Sequence, residues 1–205
     1  KAVHEVLARL LAVADGGQAG VFLRLDPHQR GVELGIAQRL AGISLADADG
    51  GNAFAADQEM FEHFIAGQLE HTLEMTLLYA PQINSYKRFA EGSFAPTAVT
   101  WGKDNRTCSF RVVGHGEGLR VENRLPGADV NPYLAISAMI AAGLDGIDRK
   151  LALPPACEGN AYVSDAERVP TNMYAARDLF RDSNLANEAF GEEMVRHYVH
   201  RAEYE

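Results

Sequence analysis

Three ionic residues at alternate positions, Arg120, Glu122 and Arg124, are the densest set of groups in this sequence that could do chemistry. In a strand, side chains two residues apart share a face and sit about 6–7 Å from one another. The row then reads cation, carboxylate, cation, while Leu119, Val121 and Leu125 take the apolar side. A solvated strand with weak surface ion pairs would carry the same pattern. Arg106 and Arg111 favour a binding site, because they add two guanidiniums on the neighbouring strand and the turn before it. A planar guanidinium stays charged when partly buried and grips carboxylates or phosphates with paired bonds. Such a convergence around one carboxylate suits an anionic substrate plus a metal ion.

The elements that must position this row follow from hydrophobic period. From Thr97 the period is two, which predicts strands over Thr97–Trp101, Cys108–Val113 and Leu119–Leu125, the last two joined by the glycine-rich stretch Gly114 to Gly118. That stretch lies between strands and does not open a helix, so a hairpin suits it better than a phosphate loop. Asp57 is expected to cap a helix carrying Phe61, Phe64, Ile65, Leu69, Leu73 and Leu77 as far as Pro81. Asn131-Pro132 predicts another helix start, with Leu134, Met139, Ile140, Leu144 and Ile147 facing inward. The tail from Leu151 reads as a proline-bounded loop, a turn at Pro170-Thr171-Asn172, and amphipathic helices around Ala175–Phe180 and Leu185–His200. Before Asp47 the pattern is a helix over Val3 to Leu11, a Gly16-Gly17 break, a short strand over Val21 to Leu25 and an apolar-periodic stretch from Val32 to Leu40. Asp47 to Asn52 reads as a turn.

Other ionisable groups are less persuasive. His63 and His71 are two helical turns apart, too far to share one ion, and His197 and His200 suit an exposed helix face. The formal net charge of −9 disfavours a nucleic-acid backbone as partner. No stretch of about 18 apolar residues is present to span a bilayer. Cys108 and Cys157 are widely separated and lack a metal-ligand spacing, which fits free thiols in a cytoplasmic setting. The sequence opens Lys1-Ala2-Val3-His4 without methionine, and we expect a preceding portion.

Four ordered motifs carry a resemblance: Asn84-Ser85-Tyr86-Lys87-Arg88, Asn105-Arg106, Arg120-Val121-Glu122-Asn123-Arg124 and Asn131-Pro132-Tyr133-Leu134. Together they resemble the signatures of the glutamine synthetase family, from roughly Asp47 to Gly146, with a weaker continuation beyond. The resemblance implies an α+β catalytic domain, incomplete at its amino terminus, with a curved antiparallel sheet presenting the arginines inside and helices outside. It divides the chain into a divergent segment over 1–45, a catalytic core over 46–146 and a helical region over 147–205. Arg88 and Arg124 would bind glutamate, and Arg106 would lie between glutamate and the ATP phosphates as the catalytic arginine. Arg111 and Arg120 would contact the nucleotide, and Glu122 would ligate Mg²⁺ or Mn²⁺. The reaction implied is ATP-dependent amide formation through γ-glutamyl phosphate in a homo-oligomeric ring.

Two departures from the family pattern matter. Ammonia-using members carry a glutamate in the flap frame Gly-Tyr-Glu-Ala-Pro, where this sequence has Gly92-Ser93-Phe94-Ala95-Pro96. Phe94 cannot ionise, and an aromatic wall suits an organic amine in place of ammonia. That resembles the γ-glutamylpolyamine and γ-glutamylamide ligase branch. The family's His-x-His pair is also missing: between Arg24 and Leu45 the sequence has only His28, as a local change of reading frame would leave it. With the family's smaller domain and its other metal-binding glutamates expected upstream of Lys1, this chain alone is expected to be inactive. A catalytically dead scaffold and a glutamate-binding remnant of the same fold are the alternatives.

Overall fold

The structure is a computed structural model that describes residues 22–25, 42–46 and 50–205. The helix expected over Val3 to Leu11, the glycine break, His28 and the Val32–Leu40 stretch lie outside the described residues. Two strands precede Asn52: β1, Phe22–Leu25, and β2, Gly42–Ala46. β1 is the strand expected over Val21 to Leu25. Asn52 caps the short helix α1, Ala53–Ala56, its side-chain oxygen accepting from the Phe54 and Ala55 amides.

Asp57 then caps α2, Gln58–Glu70, accepting from the Met60 amide at 2.9 Å, as its sequence position predicts. The expected single helix to Pro81 is interrupted at His71, and α3 runs over Thr72–Tyr79. The apolar period continues through the break because both helices keep one face in the core. A 3₁₀ turn over Ile83–Arg88 follows.

β3 spans Trp101–Lys103, β4 Phe110–Val113 and β5 Arg120–Asn123. The first of these starts later than the expected Thr97. Residues Thr97 to Val99 pair instead with Glu167 to Val169, through Val99 N to Glu167 O at 2.8 Å and Val169 N to Thr97 O at 3.1 Å. The sheet order is β1-β2-β5-β4-β3. β1–β2, β2–β5 and the β4–β5 hairpin are antiparallel, as expected, while β3 runs parallel to β4. The cause is local: Asp104 adopts a left-handed φ of 49°, so the chain loops over 104–109 and re-enters in its original direction.

Asn131 caps α4, Pro132–Asp148, with proline at the first position where no amide is needed. The tail forms a 3₁₀ turn at Ala161–Val163 and helices α5 over Met173–Arg181, α6 over Asn184–Phe190 and α7 over Glu192–Tyr204. The stretch expected as one helix from Leu185 is broken at Gly191, whose φ of 83° no regular helix accepts.

One face of the sheet, Ile43, Leu45, Phe110, Val112 and Val121, packs into a core shared with α2, α3 and α4. Phe54 stacks on Phe61 and Phe64 with ring centroids 4.7 and 5.0 Å apart, each pair worth about 0.5–1.5 kcal/mol beyond its burial. α2 and α4 meet backbone to backbone at Gly67 and Gly146: a Cβ on Gly67 would lie 2.8 Å from the Gly146 backbone. Among the described residues no helix is long and apolar enough to cross a membrane.

Candidate functional site

The face of β5 opposite the core carries the row predicted from the sequence. Along β5 exposure alternates, with Val121 and Asn123 buried and Arg120 and Glu122 half-buried. The side chains of Arg120, Glu122 and Arg124 are 31%, 20% and 13% exposed, which excludes a fully solvated face.

Glu122 is the hub. Arg111, its register partner on β4, approaches to 3.1 Å, Arg120 to 3.9 Å and Arg124 to 4.0 Å. Arg111 also holds Asp104 through its Nε at 3.0 Å. Burial pulls the Arg111 pKa down, but Asp104 and Glu122 outweigh it and hold the group above its ordinary value. Arg124 behaves oppositely: burial lowers its pKa, Arg111 and Arg106 push the same way, and Glu122 only partly compensates. Its Nε is buried and has no hydrogen-bond partner among the described residues. Arg124 is therefore a cation with spare capacity for an anion.

Arg88 sits at the end of the 3₁₀ turn and donates to the Leu125 carbonyl at 2.6 Å, which brings it to the end of β5. Burial lowers its pKa too, with Asp129 opposing, and its Nε likewise lacks a partner among the described residues. Arg106 is exposed on the loop between β3 and β4, close enough to Asp104 and Arg124 to act on both electrostatically. The structure thus gathers Arg106, Arg111, Arg120, Glu122 and Arg124 on one side of the sheet and sets Arg88 at its border.

Phe94 belongs to the same neighbourhood. Its carbonyl accepts from Arg124 Nη2 at 3.2 Å, its backbone is left-handed with a φ of 64°, and the residue is 67% exposed. The Tyr162 hydroxyl donates to the next carbonyl, Ala95, at 3.0 Å. Nothing in the local pattern around Tyr162 marks it as a site residue; its partner is 67 positions away.

Glu122 is the acidic group that the resemblance gives to a divalent cation. Magnesium takes about six oxygen ligands, and Glu122 is already ringed by guanidiniums. Among the described residues no group of three or more His, Cys, Asp or Glu side chains could hold an ion. The described residues alone do not fit a complete metal site. The histidines of α2 and its end are engaged elsewhere: His63 bonds the Leu151 carbonyl at 2.7 Å, and His71 lies between Glu74 and Asp145. Both cysteines are unbridged, and burial raises the Cys108 pKa. The hairpin loop is a 3₁₀ turn fastened to the start of α1 by Asn52 Nδ2, which donates to the Leu119 carbonyl at 2.7 Å. A cleft of about 490 Å³ lined by Leu78, Asp129, Tyr133, Tyr198 and Arg201 contains none of the site arginines.

The family profile described as glutamine synthetase, catalytic domain, matches residues 41–205. The chain belongs to the glutamine synthetase family. Within that family it is 58% identical over 166 residues to a γ-glutamylethanolamide synthetase of Streptomyces coelicolor, covering 80% of this chain and 36% of that protein. It is 41% identical over 167 residues to a glutamate–isopropylamine ligase of a Pseudomonas species, covering 77% and 36%. A glutamine synthetase of Thermus thermophilus is 37% identical over 172 residues, covering 77% and 39%. Among solved structures, a GmaS–ADP complex superposes with a TM-score of 0.66 at 29% identity, covering 80% of this chain and 42% of that one. The chain spans well under half the length of the curated relatives it matches.

Proposed function

We propose that this chain is the arginine-bearing part of an ATP-dependent ligase that joins the γ-carboxylate of glutamate to an organic amine. The observation that carries the proposal is the bond from Arg124 to the carbonyl of Phe94, because it ties an anion-seeking guanidinium to an aromatic residue at the mouth of the site. Arg88 and Arg124, each with a buried Nε that has no partner among the described residues, hold the glutamate carboxylates. Arg106, Arg111 and Arg120 neutralise the phosphates of ATP, and Glu122 fixes the row by pairing with Arg111, Arg120 and Arg124.

A glutamate γ-carboxylate oxygen attacks the terminal phosphorus of ATP, the bond to the β-phosphate breaks, and ADP leaves with its electron pair. Catalysis at this step is mainly positioning and charge neutralisation, which guanidiniums supply. The amine nitrogen, as the free base, then attacks the γ-carbonyl carbon of γ-glutamyl phosphate, the C–N bond forms, the C–O bond to the phosphate breaks with its electron pair, and the departing phosphate takes up the amine proton. Phe94 has no group to take the amine proton; its ring instead offers apolar and cation-π contact to a substituent that ammonia lacks. The relatives named for ethanolamide and isopropylamine support this amine class. A ring of subunits completing the site, and a cytoplasmic setting, belong to the same proposal.

The test is phosphate release by the full-length protein with glutamate, ATP and Mg²⁺ against ammonium, ethanolamine, isopropylamine and a diamine. Faster turnover with an organic amine is expected. Ammonium as the best acceptor would overturn the proposal.

A further inference from the structure

Residues 151–169 form a strap across the candidate site, although the sequence marks them only as a connecting loop. The Cys157 amide donates to the Trp101 carbonyl at 2.8 Å, Asn105 Nδ2 to the Gly159 carbonyl at 2.8 Å, and the Ala161 amide to Thr107 Oγ1 at 2.9 Å. The strap is therefore pinned on both sides of Arg106. Asn160 caps the 3₁₀ turn through the Tyr162 amide at 3.0 Å, which fixes where the phenol points. That phenol donates to Ala95 O, while Arg124 donates to Phe94 O.

Two consecutive flap carbonyls are thus held by donors from two different elements. Ser93 Oγ braces the flap from within, donating to the Arg88 carbonyl and accepting from the Ala95 amide, and it also lies within reach of the Tyr162 phenol. A bulky residue at a φ of 64° is uncommon and persists only where its surroundings over-determine it. The paired bonds at the tip supply that constraint.

We infer that Tyr162 is a positioning residue whose hydroxyl latches the Ala95 carbonyl and thereby sets the angle at which Phe94 meets the incoming amine. The part concerning the amine rests on the ligase proposal; the latch stands on geometry alone. Tyr162→Phe keeps the ring and removes only the donor, so the fold is retained.

In the full-length protein, hydrogen–deuterium exchange of the peptide covering residues 89–97 should accelerate about fivefold in Tyr162→Phe, the worth of one neutral hydrogen bond. Exchange in α2 should stay unchanged. The KM for the amine should rise by about the same factor, with the KM for glutamate and kcat held within about twofold. Unchanged flap exchange overturns the latch, and faster exchange with an unaltered amine KM overturns its role in amine selection. Absence of turnover in the unsubstituted enzyme counts against the ligase proposal alone, because exchange still decides the latch.

Discussion

The Arg88 guanidinium donates to the Leu125 main-chain carbonyl at 2.6 Å, one residue past Arg124. The two arginines that the family resemblance gives to glutamate are thus joined through the backbone at the end of β5. The next turn is tight as well: a Cβ on Gly127 would run first into Asp129 Oδ1, the carboxylate facing Arg88, and would lie 3.0 Å from Arg88 Nε and 3.1 Å from Nη2, so it disturbs the pair together.

Gly127→Ala should therefore displace Arg88 without removing its charge. In the full-length enzyme the KM for glutamate should rise at least about tenfold, matching loss of a charge-assisted hydrogen bond of about 1.5–3 kcal/mol. An unchanged KM would show that Arg88 does not hold the substrate.

Glu122→Gln removes the negative charge that Arg111, Arg120 and Arg124 share among the described residues, while keeping a hydrogen-bond acceptor for Arg111. Left to repel one another across half-buried positions, the guanidiniums should cost about 1–2 kcal/mol of stability. A lower urea midpoint at low salt, partly restored by added phosphate, is the expected outcome. A midpoint insensitive to phosphate would argue against an anion site.

Gly67→Ala would force a methyl group into the backbone of α4, where Gly146 already touches Gly67. Neither helix can retreat without opening the core around Phe64 and Met139. A loss of about 3 kcal/mol or more is expected in chemical denaturation, at the upper end for overpacked sites.

His71 predicts a pH dependence. Burial lowers its pKa, yet hydrogen bonds and charge from Glu74 and Asp145 outweigh burial and raise it above 6.5. Because the folded value is the higher one, this stabilisation is fully present below about pH 6.5, the unfolded value, and fades as pH rises through the folded value. Above it, a neutral ring with one N–H is left between two carboxylates, Glu74 and Asp145, the latter also paired with Arg149. The melting temperature should fall between pH 6 and pH 9, and His71→Gln should flatten the curve. A flat profile in the unsubstituted protein would remove His71 as its source.

Much of the site was legible because it is built on short-range rules. Alternation along β5 placed Arg120, Glu122 and Arg124 on one face, and the side chains of Asp57 and Asn131 located the starts of α2 and α4. The missed features depend on distant partners. The break at His71 is stabilised by Asp145, 74 positions away, and leaves the apolar period of Leu73 and Leu77 intact. β3 is displaced because Thr97 to Val99 find backbone partners near Arg168. Tyr162 has no local signature at all, since what recruits it is a flap carbonyl supplied by another part of the chain. Gly191 is different: its residue type announced a helix end that the apolar pattern around it obscured.

β5 lies between β2 and β4, in the middle of the five-stranded sheet. A strand bonded on both edges cannot slide or tilt without breaking two ladders at once, so its charges act as a fixed template whose electrostatic work is done when the chain folds. The adaptable component is the flap at the periphery. Under the ligase proposal, one acceptor amine can be exchanged for another there while the arginine row on β5 is left untouched.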